Sequence, residues 1–226
     1  VRSLLTGHIK NFFSNTEFRV YLSIVFLFIL SASLVNWYYR PESTFLHELR
    51  GATFSMVSLV TSTGFTTIDY DLWHHFPKVL LVLLMLMGGC ASSTSGGLKV
   101  MRIVIVAKWI QREFKKMLKP HGVFPIVVQD SVIENKSAEA AVGYCFIYLG
   151  TLLGATALVC LFENDVIGSF SGVLTCLSGI GPGFESVGPT HNFANLSNFS
   201  KIILSACMAL GRLEMMAFYV LLSPKI

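Results

Sequence analysis

The sequence predicts an all-α membrane protein built from two tandem units, each a helix, a re-entrant loop and a second helix. Three observations lead there. Of 226 residues, 53% are hydrophobic and 13% charged, about half the charge of an ordinary globular domain, and mean hydropathy is +0.64. Two uncharged runs match the roughly 20 residues needed to cross a bilayer. A short polar–apolar pattern from the first half returns 117 positions later in the second.

The first span covers residues 20–39, bracketed by Arg19 and Arg40. It ends in Asn36-Trp37-Tyr38-Tyr39, an aromatic belt of the kind found at the membrane–water interface. Residues 140–162 form the second span, closed by Glu163-Asn164-Asp165. Segments 53–60 and 170–177 are apolar but too short to span, and both lead into Gly-containing turns. They suit half-helices, which are tolerated at membrane depth only when buried in protein or facing water.

Two further apolar stretches are irregular. Residues 79–91 break into Ser92-Ser93-Thr94-Ser95-Gly96-Gly97 and resume over 98–110 with Lys99, Arg102 and Lys108 included. Residues 202–222 are long enough to span but hold Arg212 and Glu214 at their centre. Charges and breaks at membrane depth are costly, so each marks a candidate site.

The repeat aligns residues 56–65 with 173–182. Ser58 meets Thr175, Thr61 meets Ser178 and Gly64 meets Gly181, with apolar residues between. The predicted organisation is a first unit over 1–118, a linker over 119–137 and a second unit over 138–226. Seven of the 17 Lys and Arg residues lie within 99–119, against one acid, Glu113. The positive-inside rule puts that segment, and by parity both ends of the chain, on the cytoplasmic side. Both Gly turns then open outward. Because the chain begins at Val1, it reads as part of a longer protein.

Several functions are disfavoured. Cys90, Cys145, Cys160, Cys176 and Cys207 form no CxxC pair and sit in apolar surroundings, as small buried hydrophobes do. His8, His47, His74, His75, His121 and His191 fall in predicted loops or interfaces, and His74-His75 has no Cys or carboxylate at zinc-ligand spacing. The Gly/Ser stretch at 88–97 fails the phosphate-loop pattern, since Leu98 follows Gly97. A net charge of +4 and no binding motif argue against nucleic acid. Nothing supports an enzyme or a tightly bound organic cofactor.

Three constellations remain. The turns Thr61-Ser62-Thr63-Gly64-Phe65 and Ser178-Gly179-Ile180-Gly181-Pro182-Gly183 could line a cation filter. Such a filter needs backbone carbonyls that replace the hydration shell, and Gly permits the required φ values cheaply. The C-terminal end of a half-helix aimed there favours a cation. Ordinary connecting turns are the alternative. The stretch Gly88-Gly89-Cys90-Ala91-Ser92-Ser93-Thr94-Ser95-Gly96-Gly97 reads as an intramembrane loop able to obstruct or open a path, or as a simple interfacial connection. Arg212 needs a partner in lipid, and that loop is a natural candidate, whether the role is gating or a structural lock.

Together these residues resemble the Trk/Ktr/HKT superfamily of potassium transporters, the TrkH branch in particular. The resemblance rests on residues 60–67, on 88–102, on Gly181-Pro182-Gly183 and on Gly211-Arg212-Leu213-Glu214. It implies four helix–pore loop–helix repeats around one K⁺-channel-like pore, of which this chain holds the third and fourth, with the N-terminal half missing. It implies filter positions at Ser62, Thr63, Gly64, Gly179, Ile180 and Gly181. Gate positions would be Gly88, Gly89, Ser92, Ser93, Thr94, Ser95, Gly96, Gly97 and Arg212. The implied function is uptake of K⁺, by a channel or a symporter, across the bacterial inner membrane. Implied partners are the lipid bilayer, a second copy in a homodimer, and a cytoplasmic ring of Rossmann-type nucleotide-binding subunits. A Na⁺-permeable member and a secondary carrier with broken midplane helices are the alternatives.

Overall fold

The computed structural model describes residues 16–215 apart from 91, 92, 94, 95, 121, 123, 129, 130 and 214. His8, Ser92, Thr94, Ser95, His121 and Glu214 therefore lie outside the described residues. Among the described residues, helix α1 (Thr16–Tyr39) and helix α5 (Asn135–Cys160) are the two helices long and apolar enough to cross a membrane. At 1.5 Å per residue they run about 36 and 39 Å.

Their surfaces are turned inside out relative to a water-soluble protein. Phe26, Leu27, Leu34, Phe146, Leu153 and Leu158 are exposed, while Ser33, Ser55, Ser171, Thr175 and Ser178 are fully buried. A monomer in water rarely exposes so broad an apolar surface. Lipid reverses that cost, and the chain is an all-α membrane protein.

A shorter helix follows each span. Helix α2 (Phe45–Val60) packs on α1. It starts two turns before the apolar segment predicted there, because its first two turns carry His47, Glu48 and Arg50. Glu48 is buried there, at the helix end that favours negative charge. Helix α6 (Val166–Ser178) is capped by Asp165, whose Oδ1 accepts from the Gly168 amide at 2.8 Å. It packs between α5 and α7 (Asn198–Arg212). The described part of α7 starts four residues before the expected stretch, because Ser197 caps it by accepting from the Ser200 amide.

The irregular region divides into α3 (His75–Met87) and α4 (Val100–Leu118). Helix α3 ends at Gly88, whose φ of 60° lies in the left-handed region that glycine tolerates. Helix α4 continues eight residues past its apolar part, supported by Glu113 pairing with Arg112 and Lys116. A hairpin of β1 (Ile126–Val128) and β2 (Ser131–Ile133) follows, with Ile126 opposite Ile133. Ile126, Val128 and Ala138 form a small separate core over Met101, Ile105 and Trp109. The sequence reading had this stretch as plain linker. Three-residue strands carry too little alternation to stand out, and packing against α4 makes them.

The C-terminal ends of α1 and α5 are each tied to a neighbouring segment. Tyr39 at the end of α1 stacks on His74 at 4.1 Å, and Arg40 donates to the Leu72 carbonyl. At the end of α5, Glu163 accepts from the Ser197 amide and the Ser200 hydroxyl, at 2.8 and 2.9 Å. The main core lies inside this frame, where Met56, Leu59, Leu81, Leu84, Leu174 and Leu177 are buried.

Candidate functional site

Each half-helix runs into its turn with the same backbone construction. The Thr63 amide donates to the Ser58 carbonyl at 2.9 Å, and the Ile180 amide donates to the Thr175 carbonyl at 3.0 Å. Both bonds reach back five residues, at positions 117 apart. Positive φ recurs in the same register: Ser62 (55°) with Gly179 (65°), and Gly64 (78°) with Gly181 (117°). Two independent turns folding alike at matched positions is what an internal repeat produces.

The turns also meet. A Cβ on Gly64 would lie 2.2 Å from the Ile180 carbonyl oxygen and 3.2 Å from Pro182 Cδ, so only glycine allows this approach. Thr61, Thr63, Gly179 and Gly181 are exposed, while Ile180 is buried. The C-terminal, partially negative ends of α2 and α6 thus lead to a common open edge lined by glycines and hydroxyls, which suits a cation. Thr61 Oγ1 and Thr63 Oγ1 lie 2.8 Å apart on that edge.

The broken helix closes on itself nearby. The Leu98 amide donates to Leu86 and the Val100 amide to Gly89, at 3.0 and 3.2 Å. A Cβ on Gly88 would strike the Gly96 carbonyl at 2.4 Å. The loop reaches the second turn directly, since the Gly96 amide donates to the Ser178 carbonyl at 3.1 Å. Gly97 has φ 81° and sits beside Ser178 Oγ. Within the loop, the Ser93 amide donates to the Cys90 carbonyl at 2.8 Å. Arg212 stands exposed on the last turn of α7. Its neighbour Gly211 abuts α6, where a Cβ would come 2.0 Å from the Leu177 carbonyl.

Sequence reasoning missed the residues that hold the second turn. Tyr70 is fully buried and donates to the Gly183 carbonyl at 2.9 Å, with Phe184 edge-on at 5.4 Å. Ser171 Oγ accepts from the Phe184 amide at 2.9 Å. Tyr148 Oη lies 3.0 Å from Ser178 Oγ. Neither a tyrosine between two aspartates, as Tyr70 is, nor one in an apolar run, as Tyr148 is, carries a local sign of such a role.

Acidic groups lie beside the second turn. Asp71 Oδ2 accepts from the Glu185 amide and Asp165 Oδ2 from the Ser186 amide. Burial pushes the Asp71 carboxyl above its ordinary range. Burial opposes ionisation of Asp165 too, but hydrogen bonds from Gly168 and Ser186 hold it below that range. Glu185 is raised, by burial and then by Asp165.

Comparison with known proteins fits this geometry. The family model TrkH, described as a cation transport protein, matches residues 9–225. The Trk system potassium uptake protein TrkH of Escherichia coli (strain K12) is 33% identical over 223 residues, 98% of this chain and 46% of that protein. The Trk system potassium uptake protein TrkI of Halomonas elongata is 30% identical over 202 residues, covering 89% of this chain and 41% of the relative. The crystal structure of the potassium transporter TrkH from Vibrio parahaemolyticus superposes with a TM-score of 0.89 at 29% identity, over 98% of this chain and 47% of the other. The chain thus spans about half the length of these relatives.

Proposed function

The chain belongs to the TrkH cation-transport family, and from that premise we propose that the intact protein takes up K⁺ across the cytoplasmic membrane. In this reading the chain supplies two of four pore walls, through the units 1–118 and 138–226 joined by 119–137. Permeating K⁺ sheds water onto the carbonyls of Ser62, Thr63 and Gly64 on one wall, and of Gly179, Ile180 and Gly181 on the other. The observation that carries the reading is the matched pair of turns, with positive φ at Ser62/Gly179 and Gly64/Gly181. A repeated backbone of that kind, at the ends of two half-helices, is the device a carbonyl filter requires.

The loop over 88–97 acts as the gate. Gly88, Gly89, Ser93, Gly96 and Gly97 form its described part, Ser92, Thr94 and Ser95 complete it, and Arg212 restrains it. Support comes from the Gly96–Ser178 bond, which sets the loop against the inner end of the second turn. A protein of this class transports rather than catalyses, with K⁺ as cargo. The missing half completes the pore, the basic α4 faces the cytoplasm as do both chain ends, and a homodimer bearing a nucleotide-binding ring is the assembled form.

Rb⁺ uptake by K⁺-starved cells expressing the intact parent protein tests the reading. Gly64→Asp places a carboxylate where a Cβ already meets the Ile180 carbonyl. Uptake falls to background at matched expression if Gly64 lines the filter. Equal uptake in wild type and variant removes Gly64 from it.

A further inference from the structure

Ser178 ends α6 and makes four hydrogen bonds to four different parts of the molecule. Its Oγ donates to the Met85 carbonyl in the last turn of α3 at 2.9 Å. The Tyr148 hydroxyl of α5 approaches the same Oγ at 3.0 Å, and with that proton committed Tyr148 is the donor. Its carbonyl oxygen accepts from the Gly96 amide of the broken-helix loop at 3.1 Å. The same oxygen accepts from the Ser62 hydroxyl of the first turn at 3.3 Å. Ser178 and Tyr148 are both fully buried. Water therefore cannot replace a lost partner cheaply, and each bond counts for more than at a surface.

The two turns and the loop are thus joined at one residue. Met85 belongs to the last turn of α3, just before the loop begins, and Gly96 lies near the loop's end. Ser178 therefore grips the loop on both sides, side chain to one and main chain to the other. The carbonyl that holds Gly96 is also shared with Ser62. When the loop leaves, Ser62 keeps that acceptor to itself and the first turn is free to settle differently. Helix α5 backs the arrangement twice. Tyr144, one turn before Tyr148, lies under the Arg102 guanidinium at 3.9 Å. Residues four apart share a helix face, so one face of α5 holds both the exit from the loop and the end of α6.

We propose that Ser178, oriented by Tyr148, is a positioning residue that locks the 88–97 loop and both turns into one register, so that loop position and ion selectivity change together. The proposal rests on the transport reading above, with the loop as gate and the turns as filter. Tyr148→Phe is the sharpest probe, because it deletes one hydroxyl and keeps the ring. Ser178→Ala removes the shared Oγ. Ser178→Thr restores a hydroxyl at the same place.

The experiment measures Rb⁺ uptake and the Rb⁺/Na⁺ preference of the intact protein at matched membrane levels. Tyr148→Phe and Ser178→Ala each raise uptake in cells lacking the regulatory subunits and lower the Rb⁺/Na⁺ preference. Each effect is roughly three- to tenfold, the equivalent of one buried hydrogen bond. The double variant adds little to either single one, since the hydroxyls act through each other. Ser178→Thr stays within about twofold of wild type. A merely structural role lowers protein level or maximal rate and leaves the preference alone. The proposal is overturned if Tyr148→Phe changes neither quantity, changes one without the other, or adds fully to Ser178→Ala. Those results leave the transport reading intact as long as Gly64→Asp still abolishes uptake. If wild-type uptake ignores Gly64→Asp, the transport reading fails and this proposal falls with it.

Discussion

The first turn reaches positive φ with Ser62 and Gly64, the second with Gly179 and Gly181, and the surroundings of the paired glycines differ sharply. A Cβ on Gly64 collides with the Ile180 carbonyl at 2.2 Å, whereas a Cβ on Gly181 meets nothing among the described residues within 4 Å. One glycine is required twice, for its backbone angle and for its lack of a side chain. The other is required within this chain for its angle alone. Gly64→Ala should therefore be the most damaging small substitution, lowering Rb⁺ uptake by about 100-fold or more, because main-chain atoms cannot step aside cheaply. Gly181→Ala carries only the strain of an unfavourable φ, on the order of 1–3 kcal/mol, and should cost roughly tenfold. Equal severity would break the comparison and show that another part of the intact protein fills the space beside Gly181.

Gly179 and Ser62 sharpen the same contrast from the other side. They share register and nearly the same φ, yet only one is glycine. Ser62 occupies the left-handed region with a side chain, and its hydroxyl gains the Ser178 carbonyl in return. The space at Gly179 is open. Gly179→Ser should therefore fold, losing about 1–2 kcal/mol for the left-handed angle, and should keep uptake within roughly tenfold. Thermal unfolding in detergent reads the first quantity and Rb⁺ flux the second. Loss of folded protein would mean that the two positions match in angle but not in environment.

These positions were visible beforehand for a physical reason. Lipid solvates apolar side chains and penalises everything else, so α1 and α5 stand out as uncharged runs. The Gly turns and the break after Met87 stand out as exceptions to them. Glycine marks backbone that a side chain would spoil, and such marks survive in a bare sequence. What did not show was support from afar. Tyr70 reaches Gly183 across 113 positions, and Ser178 reaches Met85 across 93. Either tyrosine, Tyr70 or Tyr148, could equally have been a lipid-facing or interfacial aromatic. Helix limits were also hidden wherever charged or polar residues fill the terminal turns of an element, as in 45–50, 135–139 and 111–118. The β1–β2 hairpin was hidden because its strands depend on α4 for burial.

The smallest expected effect concerns how each unit ties down the C-terminal end of its first helix. In the first, an aromatic stack and an arginine–carbonyl bond join α1 to the start of α3, with no carboxylate in either contact. In the second, the Glu163 carboxylate joins α5 to the cap of α7, and the Ser197 amide, then the Ser200 hydroxyl, hold its pKa below the ordinary glutamate value. A carboxyl with a lowered folded pKa stabilises the fold fully above its unfolded value, near 4.5. That contribution disappears as pH falls through the lower, folded value. Glu163→Gln should therefore lower stability at pH 7 and converge on wild type as pH falls below that lowered folded value. Glu163 is largely solvated, so the difference is at most several tenths of a kcal/mol, about one degree in Tm for a chain of this size. The aromatic closure should give no matching acid-side change when Tyr39→Leu is compared with wild type over the same range. A Tyr39→Leu difference that shrinks in acid as the Glu163→Gln difference does would show that the two closures share a titrating group and are not independent.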